Sequence, residues 1–525
     1  MPKDTFYLTT AIDYANSVPH IGHAFEKIGA DVQARWRRMR GDGVYFLMGN
    51  DEHSLNVERK AKEQGVDPKA YCDDMAGKFR AVWDKLSIRN DRFIQTTDAD
   101  HARACQELYR LIRQRSPADL YRGKYKGWYC VSCEAYKKES DLVEGKCPNH
   151  RTQAPQWIEE ENVFFRLSAY QARIEKLVAE AKEFVVEPES RRNEILNVIR
   201  GGLDDISISR GGTTWGVPLP DEPGHVMYVW FDALINYLTG AGFPDDPAAF
   251  ARRWPADVHV IGKDITRFHC VIWPAMLTAA GLPLPRRVFA HGFVYITQDG
   301  ERVKLSKSMG VSADPGEIAD KFGADALRHF LMRECPFGGD GDFAWDKFYA
   351  RYNADLANDL GNLLHRYANM TGRYLDGRAR RSAALPAGET CDTLRGPLAA
   401  VPDAWFVRQM DGFAYPDAIA RVWQIVTGAN TFIEKSAPWT AAKQGKIDRV
   451  AVDLYIVGEA LRKIALAVYP FLPNAAERLW KRLGLADAGM PMTWSGQEGF
   501  GVTPDGTAVT QGEPLFPRID LKVMT

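Results

Sequence analysis

Between residues 4 and 97 the chain alternates short apolar runs with longer helical ones, and this alternation constrains the fold more than any other feature. TFYLTT, after Asp4, is rich in β-branched and aromatic residues and reads as a buried strand. Residues 24–40 have helical length, with Phe25, Ile28, Val32 and Trp36 recurring every three or four positions. VYFLMG at 44–49 and RFIQTT at 92–97 read as further strands around a polar helical stretch. Strands alternating with helices predict a parallel sheet in an α/β domain. The pattern breaks from about 118 to 225, where short strands, cysteines and glycine turns surround charged helical text at 168–183. It resumes with HVMYVWFDALINYL at 225–238, DVHVIG at 257–262 and RVFAHGFVYI at 287–296, so the break reads as an insertion. From about 345 the text is helical with regularly spaced leucines, and a Gly/Pro/Ala-rich patch at 376–398 is expected to join two helices.

At 525 residues the chain is long enough for several domains at roughly 150 residues each. A net charge of −1 gives no global basic field, although a local basic face for RNA fits within a neutral total. No stretch reads as a signal peptide and no apolar run approaches membrane-spanning length, so a cytoplasmic location is expected. Eight cysteines in such a compartment should be reduced. Cys72, Cys105, Cys270, Cys335 and Cys391 are scattered and read as packing thiols, while the other three are clustered.

That cluster is Cys130-Val-Ser-Cys133 followed by Cys147-Pro-Asn-His150. Two ligand pairs with two-residue spacers suit a tetrahedral zinc knuckle, closed by three thiolates and one imidazole, and therefore structural. A redox Cys-x-x-Cys leaves the second pair unexplained. In PHIGHAFEKIGA, His20 and His23 stand where a strand turns into a helix, and unpaired N–H groups and the positive helix end suit a phosphate. A plain alternative is that one histidine caps and the other packs. GERVKLSKSMG at 300–310 carries Lys304 and Lys307 in a glycine-flanked loop. It is either a solvated turn or a loop that stabilises charge on a transferring phosphoryl group. Asp51, in GNDEHS, follows a strand and points to the crevice where parallel sheets bind ligands. The aromatics of MYVWFDALINY are either core or the wall of an apolar pocket. Lys263-Asp264 adds a polar pair at a strand end.

The PHIGH stretch and the lysine loop resemble the HIGH and KMSKS signatures of class I aminoacyl-tRNA synthetases. Within that class the chain resembles the methionyl-tRNA synthetase family along nearly its whole length: TTAIDYANSVPHIGHA, GNDEHS, GWYCVSCE with CPNH, RRNEI, DDISISR, YVWFDALINY, IGKDI, HGFV, ADALRHFL and DLANDLGNLL match its blocks in order. The resemblance implies a Rossmann-like parallel-sheet catalytic domain in two halves, 1–117 and 226–297, around a connective insertion at 118–225 with the zinc knuckle. A stem-contact region would follow at 298–350 and an α-helical anticodon-binding domain at 351–525.

It also implies an activity: ATP-dependent activation of L-methionine to the adenylate, then transfer to the terminal adenosine of tRNA(Met). A carboxylate is ionised at neutral pH, so the first step calls for positioning and charge stabilisation rather than a base. On the resemblance His20, His23, Lys304 and Lys307 are the catalytic residues. His20, Gly22, His23, Lys263, Asp264 and Lys307 would bind ATP with its Mg2+, Gly22 allowing close approach and Asp264 meeting the ribose. Asp51 would face the methionine ammonium; Ile12, Tyr14, Trp230, Ala233, Tyr237, Ile265 and His269 would line the thioether pocket, where sulfur gains from aromatic contact. Asn362, Arg366 and Trp439 would read the CAU anticodon by edge hydrogen bonds and stacking. Cys130, Cys133, Cys147 and His150 would hold one structural zinc ion.

Several positions depart from the family pattern. The loop reads KLSKS, Asn50 and Ser54 replace the usual threonine and glycine, and Asp13 stands where a less polar residue is usual; none removes a charge the chemistry needs. The sequence ends at Thr525 without the OB-like domain that dimerises some relatives, so a monomer is expected. The alternatives are a synthetase for another apolar amino acid, a non-catalytic RNA-binding paralogue and a generic nucleotidyltransferase. The insertion of about 110 residues is small for the editing domain of the leucine, isoleucine and valine enzymes, and the intact histidines and lysines argue against the paralogue.

Overall fold

The structure is a computed structural model that describes residues 3–130, 135–137, 139, 142–148, 154–298, 301–303, 313–382, 385–485, 489–491 and 493–520. The chain divides into two compact units. One comprises Met1–Pro19, Val44–Val82 and Arg89–His291, the other His20–Gly43, Trp83–Ile88 and Gly292–Thr525.

The first unit is built on a sheet of strands β1 (Thr5–Thr10), β2 (Asp13–Tyr14), β3 (Gly43–Asp51), β4 (Arg92–Gln95), β5 (Val185–Glu187), β6 (Val258–Gly262) and β7 (Arg287–His291). Their order is β2-β3-β1-β6-β7-β5, with β4 also pairing β3. The recorded pairs are parallel, as the alternating sequence predicts: Leu8 opposes Val258, Leu47 opposes Arg92 and His259 opposes Val288. Every residue of β6, His259 included, is buried, the mark of a strand covered on both faces. From β1 the chain moves outward to β3 and β4, and later to β6 and β7 on the other side. The crevice at the carboxyl ends of β1 and β6 is therefore the switch point where such sheets bind ligands.

The insertion carries its own antiparallel sheet, in the order 135–137, 120–130, 156–165 and 206–207. It also supplies β5, which extends the central sheet with Val185 opposite Arg287. Sequence reading did not foresee this, because three apolar-flanked residues carry too little periodicity to register as a strand. HVMYVWFDALINYL, where the α/β pattern resumes, is a three-residue strand followed by a helix over Val229–Ala241. All of that helix is buried except Trp230.

In the second unit α1 (Ile21–Met39) starts directly after His20. The C-terminal text is helical as expected, from Trp345–Arg351 through Pro473–Arg482, with a π-helical stretch at Tyr352–Gly361 leading into Asn362–Tyr374. The patch at 376–398 joins helices only over its first part, since Glu389–Ala399 is itself a helix. Cys391, Leu394 and Leu398 recur at helical spacing and are buried, a signal that the patch's glycines and prolines hid. The residues after Arg482 that are described form no helix and fold back on the bundle. There the Glu459 carboxylate accepts from the Gly501, Val502 and Thr503 amides at 2.8, 3.2 and 2.9 Å.

Candidate active site

In the first unit three strand ends converge on the crevice. Asp51 ends β3 and is buried, with Tyr14 of β2 directly opposite it. Lys263 and Asp264 follow β6 in a single helical turn over Lys263–Ile265. A Cβ at Gly262 would sit 2.6 Å from Asp264 Oδ1, so glycine leaves that carboxylate room in its present position. Ile12 and Ile265 flank this region half-buried against the core.

The aromatic wall is continuous. Tyr14 meets Trp230 edge-on with centroids 6.1 Å apart, and Trp230 stacks on Phe268 at 3.6 Å. Tyr237 lies 2.7 Å from His269 Nε2, and His269 Nδ1 lies 3.0 Å from the Ile265 carbonyl. The carbonyl can only accept, so Nδ1 carries the proton and the Tyr237 hydroxyl donates to Nε2. His269 is thus held in one tautomer. Ala233 is buried one turn before Tyr237 on the same helix. Seven of the eight residues expected to bind methionine are therefore aromatic, apolar or histidine groups around one acidic strand end, Asp51.

The loop after β3 is pinned on several sides. Glu52 accepts from Gln95 Nε2 at 2.9 Å and from the Thr97 hydroxyl, while Trp215 Nε1 donates to its carbonyl at 2.8 Å. Burial outweighs those bonds and leaves its carboxyl above the usual range. His53 Nδ1 lies 2.6 Å from Asp232 Oδ2, and His101 Nε2 lies 2.9 Å from the other oxygen. Burial pushes Asp232 up, but the two imidazoles outweigh it and bring its pKa to about 2. Burial pushes His53 down, and the Asp232 carboxylate overcomes that and leaves it raised. Cys105, buried in the core as expected, joins the group with Sγ 3.3 Å from His101 Nε2. His101, Cys105 and Asp232 could hold a metal by distance, their ligand atoms lying within 4.8 Å of one another. In the structure they hydrogen-bond to one another. Sequence reading missed this network; its visible signal was an aspartate in a largely apolar helix that also carries Asn236 and Thr239.

In the second unit His20 is the N-cap of α1, accepting from the Gly22 amide at 3.1 Å, and His23 Nδ1 accepts from the His20 amide at 3.2 Å. The rings stack with centroids 3.8 Å apart. Both histidines therefore cap, rather than one capping and one packing. Gly22 has a local reason beyond ligand approach: a Cβ would meet the His20 ring at 2.9 Å. Lys304 and Lys307 lie outside the described residues.

Comparison with known proteins decides the family. The family model described as tRNA synthetases class I (M) matches residues 6–156 and 151–368. The chain belongs to this methionyl family of class I tRNA synthetases. A second model, the anticodon binding domain of methionyl tRNA ligase, matches residues 396–523. The methionine--tRNA ligase of Caldanaerobacter subterraneus is 42% identical over 99% of this chain and 80% of its own length. That of Thermotoga maritima is 42% identical over 98% of this chain and 81% of its own. The solved Mycobacterium tuberculosis methionyl-tRNA synthetase in complex with methionyl-adenylate has a TM-score of 0.90 and 41% identity, covering 99% of this chain and 100% of that one.

Within this family frame the remaining site residues fall in two places. Asn362 opens the helix Asn362–Tyr374 and is exposed, with Arg366 one turn on. Arg366 lies 5.8 Å from the Trp439 ring centroid and pairs with Glu434 at 2.6 Å. Ala437, at φ 44°, makes the sharp turn that starts the helix Pro438–Lys443 and so presents Trp439. Of the four residues expected to hold zinc, Cys130 ends the strand Leu120–Cys130 opposite Ala135, and Cys147 follows a tight turn in which Val143 bridges Lys146. Both thiols are buried, and Cys133 and His150 lie outside the described residues.

Proposed function

We infer that this chain is a methionine–tRNA ligase, which joins L-methionine to tRNA(Met), initiator and elongator, in two steps at the expense of ATP. The observation that carries this reading is full-length similarity to a synthetase solved with methionyl-adenylate. In the first step a methionine carboxylate oxygen bonds to the α-phosphorus of ATP, and the bond to the β-phosphate oxygen breaks, its electrons leaving with pyrophosphate. In the second, a ribose hydroxyl of the terminal adenosine attacks the methionyl carbonyl, AMP leaves, and the hydroxyl proton passes to solvent or the phosphate.

The residue roles follow from charge and position. Asp51 offers a buried carboxylate to the ammonium. Trp230, Tyr14, Ala233, Tyr237, Ile12, Ile265 and His269 surround the thioether, where aromatic–sulfur contacts contribute about 0.3–1.5 kcal/mol each. His20 and His23, already at a helix N-terminus, donate to the phosphates of MgATP with Gly22, while Lys263 and Asp264 take the nucleoside end. Lys304 and Lys307 neutralise charge that grows in the transition state. Asn362, Arg366 and Trp439 read the anticodon, the guanidinium and indole stacking with splayed bases.

Three thiols and an imidazole, two of the thiols buried beside one strand pair and one tight turn, fit a zinc ion. Cys130, Cys133, Cys147 and His150 would hold it, and it would supply a cross-link for the insertion rather than chemistry. The domain division follows the same reading: catalytic halves 1–117 and 226–297, connective insertion 118–225, lysine-loop region 298–350 and anticodon domain 351–525. No described helix is long and apolar enough to cross a membrane. A cytoplasmic place beside the translation machinery suits the activity.

The test is amino-acid-dependent ATP–pyrophosphate exchange with methionine, leucine, isoleucine, valine and cysteine, followed by charging of tRNA(Met). Exchange with methionine alone supports the reading. Exchange with another amino acid overturns the pocket assignment, and none at all points to the RNA-binding paralogue.

A further inference from the structure

We propose that the His53–Asp232 pair is a positioning clamp, holding the ammonium side of the methionine site in register with its side-chain side. This rests on the function proposed above and adds two residues to those assigned there to the substrates. His53 stands two positions after Asp51, on the loop between β3 and the helix Leu55–Glu63. Asp232 lies between Trp230 and Ala233 on the helix Val229–Ala241, which also carries Tyr237. One contact of 2.6 Å therefore joins the segment that presents the acid to the helix that presents the pocket wall.

The two ends of the clamp are unequal. Asp232 is anchored: its side chain is 0% exposed, and His101 holds its second oxygen at 2.9 Å. His101 Nδ1 in turn meets the Thr239 hydroxyl at 3.0 Å, two turns further along the helix that bears Asp232, so the carboxylate is locked to its own helix. His53 is the accessible end, 8% exposed, with the Trp215 ring edge-on at 5.5 Å. A carboxylate in an apolar helix is costly unless it is paired and hydrogen-bonded. A hydrophobic residue would serve packing alone at this position, so the pairing points to placement of the loop. Glu52 and Trp215 also tether that loop, but they reach Gln95, Thr97 and the Glu52 carbonyl, not the pocket helix.

Methionine spans both sides of the site, whereas ATP needs neither. Releasing the clamp therefore loosens methionine selectively, and a displacement of about 1 Å is worth up to about 100-fold. The experiment is ATP–pyrophosphate exchange on the full chain with His53→Ala, His53→Asn, Asp232→Asn and the double variant His53→Ala/Asp232→Asn. Asparagine places its amide nitrogen close to where histidine places Nδ1, so His53→Asn keeps the donor to Asp232 without the ring. The expected result is a methionine KM raised about 10–100-fold in His53→Ala, with the ATP KM within about twofold. His53→Asn recovers most of the loss, and the double variant is no worse than its more damaged parent, as for two residues acting as one unit. An unchanged methionine KM, equal rises for methionine and ATP, no recovery in His53→Asn, or additive losses would each overturn the clamp. If Asp232→Asn does not fold, the His53→Ala and His53→Asn pair decides alone. Wild-type protein without methionine-dependent exchange defeats the proposed function; active wild type with indistinguishable His53 variants defeats the clamp only.

Discussion

Arg328 Nη2 lies 2.7 Å from Asp31 Oδ2, and neither side chain has any exposed surface. The same carboxylate oxygen accepts from Arg35 Nε at 2.8 Å. Arg328 spends its other donors on the carbonyls of Phe471, Pro470 and Leu86 at 2.8, 2.8 and 3.2 Å. The helix capped by His20 and His23 is thereby joined to the 470–472 turn of the helical bundle. Arg328→Met removes the Arg328 pairing of Asp31 and leaves the three carbonyl contacts unmade, and should cost about 3–5 kcal/mol in urea unfolding. Arg328→Lys keeps the charge but loses the fork, and should fall between the two. A midpoint unchanged in Arg328→Met would refute this.

The His53–Asp232 pair has a defined pH window for stability. The carboxyl of Asp232 titrates near 2 in the fold against 3.8 when unperturbed, so its contribution is present above about 4 and is lost as pH falls toward 2. His53 is raised above 6.5, so its contribution is present below that value and is lost as pH climbs through the folded pKa. The stability difference between wild type and Asp232→Asn should peak between about pH 4 and 6.5 and shrink on both sides. Denaturant titrations at pH 3, 5.5 and 9 read this directly, and a flat difference would contradict it.

Lys304→Ala and Lys307→Ala should each lower kcat for exchange by about 100–1,000-fold, while the methionine KM changes little. That split is the signature of groups acting mainly in the transition state. A rise in methionine KM with normal kcat would place them in ground-state binding instead.

Trp439→Ala and Arg366→Ala should weaken charging of tRNA(Met) by about 10–100-fold, from the loss of base stacking at about 1–3 kcal/mol. Exchange measured without tRNA should persist. Charging at the wild-type rate would remove these two residues from anticodon reading.

Purified protein should carry about one zinc ion per chain, and Cys147→Ala should lose it. If the ion cross-links the insertion as proposed, metal loss should speed proteolysis within 118–225 before it affects the central sheet. Metal analysis showing no zinc in correctly folded wild type would count against the knuckle.

The sequence by itself determined the elements and the family. Strand alternation marked β1, β3, β4 and β6 because each pattern is complete within a few residues, and the histidine cap, the cysteine pairs and the lysine loop are equally local. Asp51 and Lys263-Asp264 were legible for the same reason: a polar residue directly after an apolar strand falls at a sheet end. Other features were decided only by tertiary structure. Val185–Glu187 is a strand because β7 offers an open edge, not because three residues announce one. Asp232 finds His53 and His101 because sheet order brings together positions 179 and 131 residues apart. Arg366 meets Trp439 for a like reason, across the turn at Ala437. A local pattern records which way a side chain faces. It carries no record of what the chain's return places opposite, and the charge pairs that organise this molecule arise there.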